Sequence, residues 1–107
     1  MANIDFVNDL ADDETDWQRV RIRTNRGRVT DFTVQYETTV DGNRLAVIRY
    51  DSAHGFPHVD VMNRRGELVE KTPMPDNPPL NEALQFAVGD IKRNWPVYRR
   101  RFFEEGT

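Results

Sequence analysis

The sequence contains no cysteine in its 107 residues. That absence excludes disulfides, thiolate nucleophiles, Fe–S clusters and the usual structural zinc sites. A secreted domain of this size often relies on disulfide staples, so a cytoplasmic location is expected. Apolar runs are only a few residues long, far short of a membrane span. The start, Met1-Ala2-Asn3-Ile4-Asp5, has neither a basic region nor an apolar core and does not read as a signal peptide. A glycine-rich phosphate loop, a dinucleotide fingerprint and a serine nucleophile elbow are all missing. Only two histidines are present.

Basic residues are missing from one end of the chain. Residues 1–16 hold six of the 18 acids (Asp5, Asp9, Asp12, Asp13, Glu14 and Asp16) and none of the 15 bases. The remainder therefore carries a net +3, against an overall −3. Such a leader reads either as a solvated segment or as an arm that covers a basic surface. Eleven aromatics argue against disorder, because a chain without a core has no use for them. The length suits one domain.

The domain reading is an acidic leader over 1–16 and a single α+β domain over 17–107. Within 3–11, Val7, Leu10 and Ala11 fit one face of a short docking helix, with an extended segment as the other reading. From Trp17 the period becomes two. Val20 and Ile22 alternate with Arg19, Arg21 and Arg23, as in a half-buried strand with a basic outer face. Asn25-Arg26-Gly27 is a turn. In the next strand Phe32, Val34 and Tyr36 face one way, and Asp31, Thr33 and Gln35 the other. Asp41-Gly42-Asn43 is the clearest hairpin signal. Arg44–Tyr50 is apolar on both faces over Leu45–Ile48, which suits a central strand. His58–Met62 and Glu67–Lys71 complete an antiparallel meander.

Pro73, Pro75, Pro78 and Pro79 form a stiff connector. Leu80, Ala83, Leu84, Ala87, Val88, Ile91 and Trp95 then mark one helical stripe, the strongest periodicity in the chain. Gly89 either weakens this helix or lets it approach the sheet. Pro96 is expected to end or kink it, with a second short helix over Val97–Glu105. The expected fold is a four- to five-stranded antiparallel sheet packed by a C-terminal amphipathic helix, with a short N-terminal helix as an addition.

Both histidines fall in Arg49-Tyr50-Asp51-Ser52-Ala53-His54-Gly55-Phe56-Pro57-His58-Val59-Asp60, across a break between two strands. Three readings compete. His54 and His58 act as acid and base on a phosphodiester, with Arg49 or a nearby arginine on the phosphate. Alternatively, the two histidines and an aspartate hold a metal, although this spacing is not the helical metal motif. In the third reading they only satisfy loop backbone. His58 and Asp60, two apart on a strand, share a face, so the carboxylate can orient the imidazole. Arg19 and Arg21 supply a further basic stripe. At the C-terminal end Lys92, Arg93, Arg99, Arg100 and Arg101 interleave with Trp95, Tyr98, Phe102 and Phe103. That mixture suits nucleic acid, or an ordinary helix end whose aromatics pack on the sheet.

Arg49-Tyr50-Asp51, His54-Gly55 and His58, followed by a hairpin and a helix containing Asp90-Ile91, resemble small bacterial proteins and, more distantly, TumE-type toxins of toxin–antitoxin modules. The likeness spans roughly residues 44–95. It departs from that pattern at Val59-Asp60, where a further base is expected. The resemblance implies a cytoplasmic RNA-acting protein with an antitoxin partner and carries over Tyr50, Asp51, His54 and His58 as catalytic positions. On this reading Arg49, Arg19 and Arg21 bind substrate, and the enzyme is a ribonuclease that uses neither metal nor cofactor. The alternative is a non-catalytic module that binds a protein through a sheet edge or the acidic leader.

Overall fold

The computed structural model describes residues 1–12 and 14–105, without the side chains of His54 and Glu105. Six strands follow in order: β1 (Ala2–Asp9), β2 (Asp16–Asn25), β3 (Arg28–Val40), β4 (Asn43–Asp51), β5 (His58–Met62) and β6 (Leu68–Pro73). A single 3-10 turn, Ala53–Gly55, joins β4 to β5, and helix α1 spans Leu80–Glu105. The strands form one antiparallel sheet in the order β1-β2-β3-β4-β5-β6. The α+β meander with a C-terminal helix is therefore as expected, with one strand more than the pattern counted.

The additional strand is β1, which corrects the reading of a short N-terminal helix. Three apolar residues at helical spacing are outweighed by a continuous ladder with β2, from Ala2 opposite Thr24 to Asp9 opposite Trp17. That register sets Ile4 against Ile22, Phe6 against Val20, and acidic Asp5 against Arg21. The leader thus completes the sheet and is not a separate docking element.

Turn chemistry sets the hairpins. Asp41 and Gly42 both take positive φ, as a two-residue type I′ connection requires. At the β2–β3 turn the positive-φ pair is Arg26 and Gly27, so Asn25 stays in the strand. The β3–β4 register shifts at Tyr36/Glu37, which face Ile48 and Ala46 and leave Val47 as the extra residue. Val47 and Ile48 are both buried in the core. The doubly apolar stretch is thus explained by a β-bulge.

α1 covers one face of the sheet, packing mainly on β3 and to a lesser extent on β4 and β2. Val20, Phe32, Val34, Tyr36, Val47, Ile48 and Tyr50 meet Ala83, Ala87, Ile91 and Phe102, with Met74 from the connector. Ala83 and Ala87 are fully buried, so small side chains bring the helix close to the sheet. Gly89 has no part in that approach, since a Cβ there would meet only the Arg93 side chain. α1 also runs through Pro96 as one 26-residue helix, correcting the expected break. Proline removes one backbone hydrogen bond, whereas Tyr98, Phe102 and Phe103 beyond it pack against the core. Fully burying a residue such as Phe102 contributes about 1.5–3 kcal/mol, enough to offset much of that loss.

Two buried aspartates hold the layers together. Asp90 on α1 accepts hydrogen bonds from Tyr50 Oη on β4 (2.7 Å), Tyr98 Oη and Asn94 Nδ2 (2.8 Å). Asp16 at the start of β2 accepts from Tyr36 Oη, Thr38 Oγ1 (2.8 Å) and Thr15 Oγ1 (2.8 Å), while Arg99 of α1 approaches to 3.6 Å. Gln18 Nε2 donates to the Val88 carbonyl (3.0 Å).

All three tyrosines of the chain thus donate to buried carboxylates. Burial, then the bond to an aspartate, pushes each phenol above its ordinary range, Tyr98 to about 12. The folded state therefore keeps protons that the unfolded chain loses above about pH 10. Stability from these bonds is intact below that pH and falls as pH rises toward 12. Alkaline titration of the native protein should show no phenolate absorbance near pH 10, whereas the urea-unfolded chain should titrate there. Asp90→Ala strands the buried Tyr50 hydroxyl and the half-buried Tyr98 hydroxyl and should cost about 2–4 kcal/mol in urea unfolding. A loss below 0.5 kcal/mol, within the ordinary range of surface substitutions, would show that the anchor is dispensable.

Candidate functional site

Residues paired across antiparallel strands lie on the same face. Two neighbouring rungs of the sheet, on the face away from α1, hold most of the residues singled out above. One reads Asp5, Arg21, Thr33, Asp51, His58 and Pro73 from β1 to β6. The other reads Val7, Arg19, Gln35, Arg49, Asp60 and Lys71. Arg19, Arg21, Thr33, Gln35, Arg49 and Asp51 line a depression of about 350 Å³.

A polar chain crosses four strands beside this depression. Arg19 Nε donates to Glu37 Oε2 (2.9 Å), and Gln35 Nε2 donates to the same oxygen (2.7 Å). Arg49 Nε donates to Gln35 Oε1 (2.7 Å), and Arg49 Nη1 lies 3.9 Å from Asp60 Oδ2. His58 Nε2 lies 3.7 Å from Asp60 Oδ1, an oxygen that is buried with no hydrogen-bond partner among the described residues. Arg44 reaches Glu37 at 3.8 Å and stacks on the Trp17 ring, its guanidinium carbon 3.8 Å from the centroid. Glu37 is 5% exposed, so arginines from two strands, Arg19 of β2 and Arg44 of β4, converge on a nearly buried carboxylate. The hydrogen bond to Glu37 raises the Arg19 guanidinium above its ordinary value, against a smaller lowering by burial.

The structure separates the sequence candidates. Arg19, Arg21, Arg49, Asp51 and His58 share the helix-free face. Tyr50 is turned to the other face, where it bonds Asp90 and stacks edge-on against Phe86, because adjacent strand residues point oppositely. Its hydroxyl belongs to the helix anchor. The backbone of His54 forms part of the 3-10 turn, and its side chain lies outside the described residues. Asp51 shapes that turn by accepting from the Ala53 amide. His58 is 1% exposed and packs beside Phe56, with Nδ1 3.4 Å from the Phe56 carbonyl. Among the described residues, no group of three or more His, Asp or Glu side chains could hold a metal ion. In the C-terminal cluster, Trp95, Tyr98, Phe102 and Phe103 pack on the core. Arg99 is occupied by Asp16 and by the Phe103 ring, its guanidinium carbon 4.7 Å from the centroid.

Sequence reasoning did not give Glu37, Gln35 and Thr33 a role. The available signal was alternation: with Phe32, Val34 and Tyr36 inward, these three must lie outward beside the arginines.

Fold and site together define an α+β meander whose helix α1 leaves an arginine-lined polar face open. The model of the family described as Domain of unknown function (DUF7718) matches residues 1–107, and the chain belongs to that family. No curated protein and no solved structure matches it. None of the helices in the described residues is long and apolar enough to cross a membrane.

Removing Arg49 takes the arginine away from the buried Asp60. Arg49→Met should therefore destabilise the fold by about 2 kcal/mol, and adding Asp60→Asn should recover at least half of that loss. Strictly additive effects in urea unfolding would show that the two side chains do not interact.

Proposed function

We propose that the helix-free face binds a phosphate-bearing polymer, and that RNA is the ligand class. The observation that carries this reading is the convergence of the Arg19, Arg21 and Arg49 guanidiniums on one depression. Guanidinium is planar, permanently charged and able to grip phosphate through paired N–H donors. Thr33, Gln35 and Asp51 in the same depression offer hydrogen-bonding groups suited to a ribose hydroxyl. Holding the arginines on strands limits the ordering needed when a ligand arrives.

Carboxylates moderate the affinity. Glu37 sits between Arg19 and Arg44, Asp60 lies beside Arg49, and Asp5 pairs with Arg21 at 3.2 Å. Modest, strongly salt-dependent binding follows. Cleavage is not included in the proposal, because a general acid must reach the ligand and His58 is buried beneath the face. The toxin-like role rests on resemblance alone, whereas the binding proposal rests on the arginine arrangement.

Anisotropy of a fluorescein-labelled single-stranded RNA provides the test. Affinity should fall with salt at a slope of about −2 on logarithmic axes, as expected for three phosphate contacts at about −0.7 each. Arg21 is more than half exposed, so Arg21→Glu should leave the fold intact. It should weaken binding at least tenfold, about 1.4 kcal/mol. Equal affinity of this variant, or no binding at low salt, would overturn the proposal.

A further inference from the structure

We infer that the free edge of β1 receives an extended segment from a partner protein, one in which Arg or Lys alternates with bulky apolar residues. β1 is the first strand of the sheet, and only its β2 side is paired among the described residues. Its eight residues pair with β2 without a bulge and contain no Pro, Gly or Lys. These are the usual devices that keep an edge from accepting another strand. The opposite edge has several of them: β6 is shorter, its ladder is irregular at Val61/Met62, and it carries Lys71 and Pro73.

The side chains of β1 specify what the edge fits. On the helix side Ile4 and Phe6 are 45% and 41% exposed, lying beyond the main packing of α1. On the other side are Asp5 and Asp9, with no base in the strand. The inner edge already holds a matching segment, since Arg19–Arg23 of β2 alternates arginine with Val20 and Ile22. It sets Arg21 against Asp5 at 3.2 Å and lays its apolar residues beside Phe6 and Ile4. A second strand with the same alternation would repeat these contacts on the outer edge, adding main-chain hydrogen bonds to ion pairs. A second copy's own β1 is a poorer occupant, because it sets acids beside acids.

The test uses the full chain and a labelled peptide, Arg-Val-Arg-Ile-Arg-Val-Arg. A peptide of identical composition without alternation, Arg-Arg-Val-Ile-Val-Arg-Arg, serves as control. The alternating peptide should bind at least tenfold tighter than the control and increase hydrogen-exchange protection of the amides in residues 2–9. The double substitution Asp5→Lys with Asp9→Lys, checked for folding by circular dichroism, should weaken binding at least tenfold. Equal binding of the two peptides, or unchanged protection over residues 2–9, would overturn the inference even if the variant fails to fold. Self-association of the chain alone, with new protection over the same residues, would assign the edge to a second copy and also overturn it.

Discussion

A six-stranded sheet has two faces, and the described residues supply one α-helix to cover them. The fold depends on fixing α1 to one of those faces, and the Asp90–Tyr50 bond does much of that work. Asp90 joins the helix to β4 directly, and Asp16 joins β2, β3 and Arg99 of α1. A buried carboxylate is unfavourable unless its oxygens are occupied, so these anchors tolerate few alternative placements of the helix. Apolar packing alone would allow a 26-residue amphipathic helix to slide along the sheet. The polar bonds set its position.

Once α1 is placed, the other face must satisfy itself. It does so laterally, through a chain of side chains from Arg19 to Asp60 that spans β2, β3, β4 and β5. The functional reading follows from that solution. Arginines that brace one another through Glu37 and Gln35 are held in fixed relation, and a face of fixed arginines is suited to an anion. The same carboxylates that hold them also reduce the local positive field, which favours reversible binding over tight binding.

Much of the fold was legible because the pattern was strong. Period-two alternation over Val20–Ile22 and Phe32–Tyr36, and the helical stripe from Leu80 to Trp95, each reported a buried face directly. Three features were hidden for separate reasons. β1 is exposed along almost its whole length, so its alternation carried no burial signal and its acids suggested a solvated leader. Pro96 is unfavourable locally, but Tyr98, Phe102 and Phe103 override that preference through packing visible only in three dimensions. The bulge beside Val47 required knowledge of register. The candidate site was half legible. Strand parity placed His58 with Asp60 and placed the arginines together, whereas counting Tyr50 with Asp51 crossed the sheet. Glu37, buried between two arginines, looks like any surface acid in the sequence.

Charge order along the chain ties these elements together. The acidic segment comes first, and the next strand carries Arg19, Arg21 and Arg23, so the first hairpin pairs opposite charges across one ladder. The ion pair formed, Asp5–Arg21, is more than half exposed on both sides and weak. Its main effect is on register. A shift of β1 by one residue would carry Asp5 to the helix side and expose its apolar residues on the arginine face. β1 therefore completes the ladder and keeps an acid beside Arg21. The same alternation leaves its outer edge acidic on one side and apolar on the other. Under the two proposals above, one short strand moderates the anion-binding face and presents a selective edge to a partner, and both follow from the placement of Asp5 in the register.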